Sequence, residues 1–188
     1  MPAIPAPSAP ISDGQVSLRL GAERDIPEIL IAHQDDPDLA LRLGLERPPS
    51  GAELGRQAEN ADADRAAGAG VDLTVLEAGS DVCRGRVTAH HFDWDDLRAE
   101  LGIWLAPQVR GQGLAPRALR LAGRWLFSAC GIARLELLTE IDNAPLLHAA
   151  DAAGFVHEGV LRAYLRERGA RLDVAVLSLL ATDLEAMS

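Results

Sequence analysis

Hydrophobic positions alternate with polar ones in several short stretches. Val16, Leu18 and Leu20 flank Ser17 and Arg19, the period-two pattern of a half-buried strand. Val71, Leu73 and Val75 repeat it, and Gly79-Ser80-Asp81 turns the chain into a partner strand over residues 82–90. Residues 97–105, 132–138, 155–165 and 172–180 read as further strands, the last two joined across Gly169. Leu114, Ala118, Leu121, Ala122, Trp125, Leu126 and Ala129 instead recur at helical spacing. Asp25 ahead of Pro27 and Glu28, and Ser50 three before Glu53, are helix-start signatures. They predict one helix through Ile29–Ile31 and another to about Ala67, with turn-rich residues 34–45 between them. A short helix over 145–153 stops at Gly154. Hairpins combined with one strand-helix-strand unit make an α/β (α+β) fold.

Residues 1–14 carry Pro2, Pro5, Pro7 and Pro10 among alanines. They read as a flexible tail, followed by a single domain over 15–188. With 18 basic and 28 acidic residues the net charge is -10. No basic footprint for nucleic acid exists, and a cationic partner suits the balance. Cys83 and Cys130 make neither a disulfide framework nor a metal-type spacing. No signal peptide or membrane-length apolar run is visible, so a cytoplasmic location is expected.

The informative stretch runs from Ile103 to Ala115, where a strand ends at Pro107, Gly111 and Gly113 punctuate a loop, and a helix opens at once. The first amides of a helix lack internal partners and its dipole is positive there. Glycines let the backbone approach an anion closely. The combination suits a phosphate cradle. No Gly-Lys-Ser/Thr follows, so it is not a Walker loop, and the third Rossmann glycine is missing.

Gln108-Val109-Arg110-Gly111-Gln112-Gly113 resembles the Gln/Arg-x-x-Gly-x-Gly/Ala loop of the GNAT acetyltransferases. Asn143 ahead of a helix and Gly154-Phe155 is similar to a second segment of that family. Glu158-Gly159-Val160-Leu161-Arg162, Arg171-x-Asp173 and Ser178-Leu179-Leu180 resemble the end of its Rim-type branch, which acetylates ribosomal-protein N-termini. The resemblance implies a mixed, mostly antiparallel sheet of about seven strands flanked by about four helices. It implies transfer of an acetyl group from acetyl-CoA to a primary amine, here a protein N-terminus. The alternatives are a small amine such as a polyamine or aminoglycoside, or a non-catalytic acyl-CoA-binding module. It also implies that Gln108, Val109, Arg110, Gly111, Gln112, Gly113, Leu114 and Ala115 grip the pyrophosphate of coenzyme A. Ile103, Trp104 and Leu105 would pair with the pantetheine arm, and Asn143 would touch the cofactor. A monomer or homodimer is expected.

Catalysis of this kind needs a base for the attacking amine. Glu100 alternates with Gly102 and Trp104 and so shares their face; related enzymes often carry a glutamate in this strand. The family's usual helix tyrosine is replaced by Ala150, and the Rim-type serine by Leu146. Tyr164, the single tyrosine, is therefore the candidate acid or acceptor-lining residue. His148, three before Asp151, reads as a surface pair. Arg110, Arg117, Arg120 and Arg124 are candidates for the 3′-phosphate, the last two reading more simply as a solvated helix face. His33, Asp35, Asp36 and Trp94 are candidate acceptor-site residues. His90 and His91, with Asp93, Asp95 and Asp96, raise the question of a metal. Neighbouring strand residues point to opposite faces, so no metal site is expected.

Overall fold

The computed structural model describes residues 2–167 and 169–186, and of Glu167 only the backbone. The chain forms strands β1 (Ile11–Ser12), β2 (Val16–Leu20), β3 (Val71–Glu77), β4 (Gly85–Asp93), β5 (Arg98–Leu105), β6 (Arg134–Glu140), β7 (Val156–Glu167) and β8 (Ala170–Leu179). The helices are α1 (Ile26–Asp35), α2 (Leu39–Arg42), α3 (Gly51–Ala66), α4 (Leu114–Cys130), α5 (Ala144–Ala153) and α6 (Ala181–Glu185). The sheet order is β1-β2-β3-β4-β5-β6-β8-β7. Every neighbouring pair is antiparallel except β5–β6, which α4 connects as a parallel crossover. The α/β class and the mostly antiparallel sheet are as expected, with β1 and the short helices α2 and α6 added.

Alternation along the strands sorts the two sheet faces. Leu18, Leu73, Val75, Val87, Leu101 and Leu135 pack with Ala118, Leu119, Ala122 and Leu126 of α4 in the main core. On the other face α1 and α3 bury Ile29 and Leu54 with Cys83, against the edge of Trp104. Helices α1–α3 therefore cover the face that carries Asp72, Arg86, Thr88 and Gly102.

Two local details depart from the sequence reading. Within residues 2–14, expected as a flexible tail, Ile4 and Ile11–Ser12 are anchored to the body while most of the segment is exposed. Ile4 is fully buried, its amide bonds to the Arg65 carbonyl at 3.0 Å, and Ile11–Ser12 pairs with Ser17–Leu18. One buried isoleucine among prolines produces no periodic signal, so the docking is invisible in the pattern. Asp25 does not cap α1 with its side chain. It turns into the sheet instead, accepting from Arg19 (2.6 and 3.0 Å), Thr74 Oγ1 (2.6 Å) and the Ala22 amide (3.1 Å). The Ser50–Glu53 capping box forms as expected.

Burial pushes the Asp25 carboxyl up, but Arg19, Thr74 and the Ala22 amide outweigh it and hold it below its ordinary value. A lowered folded pKa means that its stabilisation is complete above the ordinary carboxylate range and disappears as pH falls through the folded value. Replacing Asp25 with Ala leaves Thr74 and the Ala22 amide unpaired and Arg19 with only the exposed Asp81, at 2.9 Å, and is expected to cost about 1–3 kcal/mol. Urea unfolding at pH 7 should reveal that loss, and the gap between variant and parent should narrow towards pH 3.

Candidate active site

The site begins where β5 and β6 part. Their parallel register lasts three pairs, Arg98↔Arg134, Ala99↔Leu135 and Glu100↔Glu136. Beyond Glu100, β5 stays paired to β4 as far as Leu105↔Gly85, while β6 stays paired to β8 as far as Glu140↔Val174. The sheet thus opens as a wedge in its middle. The β6-facing backbone groups of Leu101–Leu105 line one side of it, without ladder partners across the gap.

At the wide end of the wedge the chain makes a single turn over Pro107–Val109 and reaches Gly111 and Gly113, at φ 74° and 77°. A Cβ at either glycine would meet no atom within 4 Å, so glycine is required there by backbone conformation and the space above stays open. Among the described residues, no turn or loop hydrogen bond is donated by the amides of Gly111, Gln112 or Gly113. Gly113 is the N-cap of α4, and Leu114 and Ala115 add the first helical amides. Pro116 has no N–H, so the unclaimed donors gather on the loop side. Val109, expected among the contacts, faces the core, and its amide closes on the Ala106 carbonyl at 3.1 Å. The Arg110 amide is likewise taken, by the Pro107 carbonyl at 3.3 Å, so the unclaimed amides of the loop begin at Gly111.

The arginines expected near phosphate are already engaged. Arg117 pairs with Asp13 at 2.8 Å, and Arg120 donates to the Ala152 carbonyl at 2.6 Å. Arg110 donates to the Leu105 carbonyl at 2.9 Å and pairs with Asp36 at 2.6 Å. Asp36 also binds Arg42, and Gln108 donates to Asp35. Burial raises the Asp36 carboxyl, but Arg110 and Arg42 hold it below the usual range. The C-terminal end of α1 is thereby tied to the loop at two points. Asn143 caps α5, accepting from the Leu146 amide at 3.3 Å and donating to Thr139 Oγ1 at 3.0 Å.

On the α1–α3 face, Gly102, Ile103 and Trp104 of β5 form one wall of a cavity of about 620 Å³, within the range of small-ligand sites. Ile29, His33, Leu43, Leu45, Pro49 and Leu54 cover it, and Asp72, Arg86 and Thr88 lie on its floor. Gly102 keeps that floor low, because a Cβ there would lie 2.9 Å from Thr88 Oγ1. Inside the cavity Arg86 pairs with Asp72 at 2.9 Å and Arg47 with Glu53 at 2.7 Å. His33 is only 6% exposed, and its Nδ1 has no partner among the described residues. Burial lowers its pKa, with Asp36 pulling the other way.

Glu100 lies two residues along β5 from Gly102, roughly 6–7 Å, at the apex of the wedge. Its side chain is partly buried and is met by His91 Nδ1 at 3.0 Å. The neighbouring histidines, expected on opposite faces, stack on the same side instead, with ring centroids 4.5 Å apart. A register shift between His90 and Asp93 and a φ of 50° at His91 account for it. Tyr164 does not join this group; it is 52% exposed on the edge strand β7. Trp94 also lies elsewhere, stacked on Phe92 and donating to the Gly68 carbonyl at 2.9 Å. The sequence reading missed Arg86, Asp72, Thr88 and the 43–53 wall, because only the cross-strand register and the packing of α3 bring them beside Gly102.

Residues 15–156 match the acetyltransferase (GNAT) domain. YdaF of Bacillus subtilis (strain 168), provisionally named a ribosomal N-acetyltransferase, is 27% identical over 177 residues, 90% of this chain and 93% of that protein. Spermidine N(1)-acetyltransferase of Escherichia coli (strain K12) is 36% identical over 64 residues, 34% of each chain. Among solved structures, the ribosomal-protein-S5-alanine acetyltransferase of Vibrio fischeri superposes with a TM-score of 0.80 at 18% identity, over 94% of this chain and 99% of that one. Spermidine N-acetyltransferase of Vibrio cholerae in complex with CoA and spermine gives 0.78 at 22%, over 92% and 99%. These two structural likenesses establish the fold alone. No helix among the described residues is long and apolar enough to cross a membrane.

Gly111→Glu should weaken acetyl-CoA binding at least about tenfold, since a like charge near the pyrophosphate costs on the order of 1–4 kcal/mol at short range. Gly111→Ala shares the positive-φ strain without the charge and should lose far less. Calorimetric titration of both variants separates charge from strain, and affinity unchanged from the parent in Gly111→Glu would remove the loop from the cofactor site.

Proposed function

The chain belongs to the acetyltransferase (GNAT) family and is an acetyl-CoA-dependent N-acetyltransferase, and from that premise we propose that its acceptor is a protein N-terminal amine, with Glu100 as the base. The observation that carries the acceptor class is the pairing of charge inside the cavity. Asp72 and Glu53 each pair with an arginine, so Glu46 leaves the lining with a single excess negative charge, enough for one ammonium; Ile29, Leu43, Leu45, Pro49, Leu54 and Trp104 make much of the rest apolar. A polyamine brings several positive charges and needs unmatched carboxylates, and Arg47 and Arg86 would oppose it. A peptide N-terminus brings one ammonium, which is lost before attack, followed by apolar side chains and carbonyl groups that guanidinium N–H groups can bind. His33 lines the same cavity, and its buried Nδ1 lacks a partner, which costs about 1–3 kcal/mol; a turn of the ring would bring that atom to a peptide group. The near full-length similarity to YdaF supports the same class.

Bound acetyl-CoA supplies an activated carbonyl. The loop amides from Gly111 to Ala115 would hold its pyrophosphate, and the β5 edge from Ile103 to Leu105, where Arg110 already takes the Leu105 carbonyl, would align its arm along the wedge. That direction leads from the loop back towards Glu100. The acceptor would enter from the cavity side, across Gly102. Glu100 Oε would take the ammonium proton directly or through water, leaving a neutral amine to attack. A thiol has a free pKa near ~8.5, so its thiolate leaves tolerably without a dedicated acid. Tyr164 is accordingly not required on this face.

Glu100→Gln removes the base while keeping size and hydrogen bonding. Turnover should fall by about 10²–10⁴, with acetyl-CoA affinity unchanged by calorimetry. Thiol release measured with N-terminal peptides, the same peptides blocked at the N-terminus, and spermidine tests the acceptor. Activity on free N-termini alone is the expected pattern. Preference for spermidine would replace the peptide reading with the polyamine one.

A further inference from the structure

The bulge at the end of β4 builds a group that the acetyl-transfer chemistry does not call for. Register between β4 and β5 is regular from Gly85↔Leu105 to His90↔Glu100 and then slips before Asp93↔Arg98. His91 occupies the slip in the left-handed region, at φ 50°, a conformation that costs an ordinary residue about 1–2 kcal/mol. Strain of this sort gathers at functional positions. Its effect here is specific: both imidazoles come to the side where Glu100 lies.

Hydrogen bonding assigns the proton on one ring. His90 Nδ1 is 3.1 Å from the Glu100 backbone carbonyl, and a carbonyl only accepts, so Nδ1 carries the hydrogen. In the neutral ring, Nε2 then presents a lone pair, 3.8 Å from Glu100 Oε1. That is too long for a hydrogen bond and sets two electron-rich atoms against each other, an arrangement relieved by a cation between them. His91 Nδ1 donates its hydrogen to the other carboxylate oxygen at 3.0 Å; an ion takes that hydrogen's place once the ring carries its proton on Nε2, which faces solvent on this exposed side chain. Glu136 is the register partner of Glu100 on β6 and adds negative field, although Arg134 pairs with it at 2.8 Å.

We infer that His90 Nε2, His91 Nδ1 and the Glu100 carboxylate form a site for a divalent first-row metal ion such as Zn²⁺. One ligand atom from each residue can be chosen so that all lie within 4.8 Å of one another. A tetrahedral ion with bonds of 2.0–2.2 Å needs its ligands about 3.3–3.6 Å apart, so modest rotation of the exposed His91 ring closes the set. Imidazole and carboxylate donors suit zinc, cobalt, nickel and copper rather than magnesium or calcium. The bond from His90 Nδ1–H to a carbonyl is the outer contact that fixes a ligating ring. Three protein donors leave a fourth position open to water. An ion held there occupies the carboxylate proposed as the base, so metal binding inhibits acetyl transfer; this consequence rests on the function proposed above, whereas the site does not.

The test uses the full chain without a histidine tag, cleared with chelator. Zn²⁺ alone is titrated by calorimetry, and Co²⁺ is followed by its visible absorption, which reports coordination directly. One ion per chain is expected, with affinity falling at least about tenfold, in the range seen for lost metal-site contacts, in each of His90→Ala and His91→Ala. Thermal melts check that both variants stay folded, and His90→Gln serves if His90→Ala does not. No binding by the parent chain, or binding unaltered by both histidine variants, overturns the site. Turnover is then measured with and without Zn²⁺, each variant against its own metal-free rate. Inhibition that disappears in His91→Ala supports the site and the base together. Binding lost in the histidine variants, with parent turnover insensitive to Zn²⁺, upholds the metal site and removes Glu100 as the base.

Discussion

The parting of β5 from β6 is the constraint on which the rest of the site depends. A sheet whose other neighbours are all antiparallel contains one parallel pair, and that pair holds for only three residues. Each strand is kept by its outer neighbour, β5 by β4 and β6 by β8, so neither can bend back to close the gap. Backbone groups that would have completed a ladder are left facing a wedge. Buried or half-buried amides and carbonyls need partners, and a long extended ligand can provide them as a substitute strand. The glycine loop stands at the wide end, Glu100 at the narrow end and the cavity floor on one flank. All three inherit their positions from the same divergence.

The cavity wall is not independent of that wedge. Asp35 and Asp36, at the end of α1, hold Gln108 and Arg110 of the glycine loop. Arg42 joins the same carboxylate from α2. A charge change at the loop is therefore felt by the segment that carries His33 on one side and leads to Leu43 and Leu45 on the other. The core on the α4 face sets the sheet, whereas a smaller apolar cluster around Ile29 and Leu54, with ion pairs and caps, holds the α1–α3 cover. The Ser50–Glu53 box and the Arg47–Glu53 fork fix the start of α3 beside the cavity, and Arg19–Asp25 fixes the start of α1.

Charge inside the cavity and charge on the whole chain point to different things. The net charge of -10 favours cationic partners in general. Within the cavity, however, Asp72 and Glu53 are matched by arginines and only Glu46 is left over, so local chemistry rather than overall charge bears on what the cavity accepts. The histidine pair carries a similar lesson. Adjacent strand residues diverge only while the pleat is regular, and a single slipped residue at His91 brings them together.

The sequence by itself determined strands β2 to β8, the long helix α4, the α3 capping box and the loop from Gln108 to Gly113, because each is written in local terms: a period, a cap, or glycines that tolerate positive φ. It also marked Glu100 as sharing a face with Gly102 and Trp104, since alternation holds along β5. Only the tertiary structure decided what depends on neighbours far along the chain. The length of the β5–β6 pairing follows from competition between four strands. Thr88 beneath Gly102 and Arg86 beside Asp72 follow from cross-strand register, and the burial of Ile4 from a pocket built by other elements. The stacking of His90 on His91 needed the bulge, which no residue type announces. The exposed setting of Tyr164 followed from β7 becoming the edge strand. Local periodicity records which side of an element is buried; which residues meet across elements is set by long-range packing, and the candidate acceptor and metal chemistry of this protein lies in those meetings.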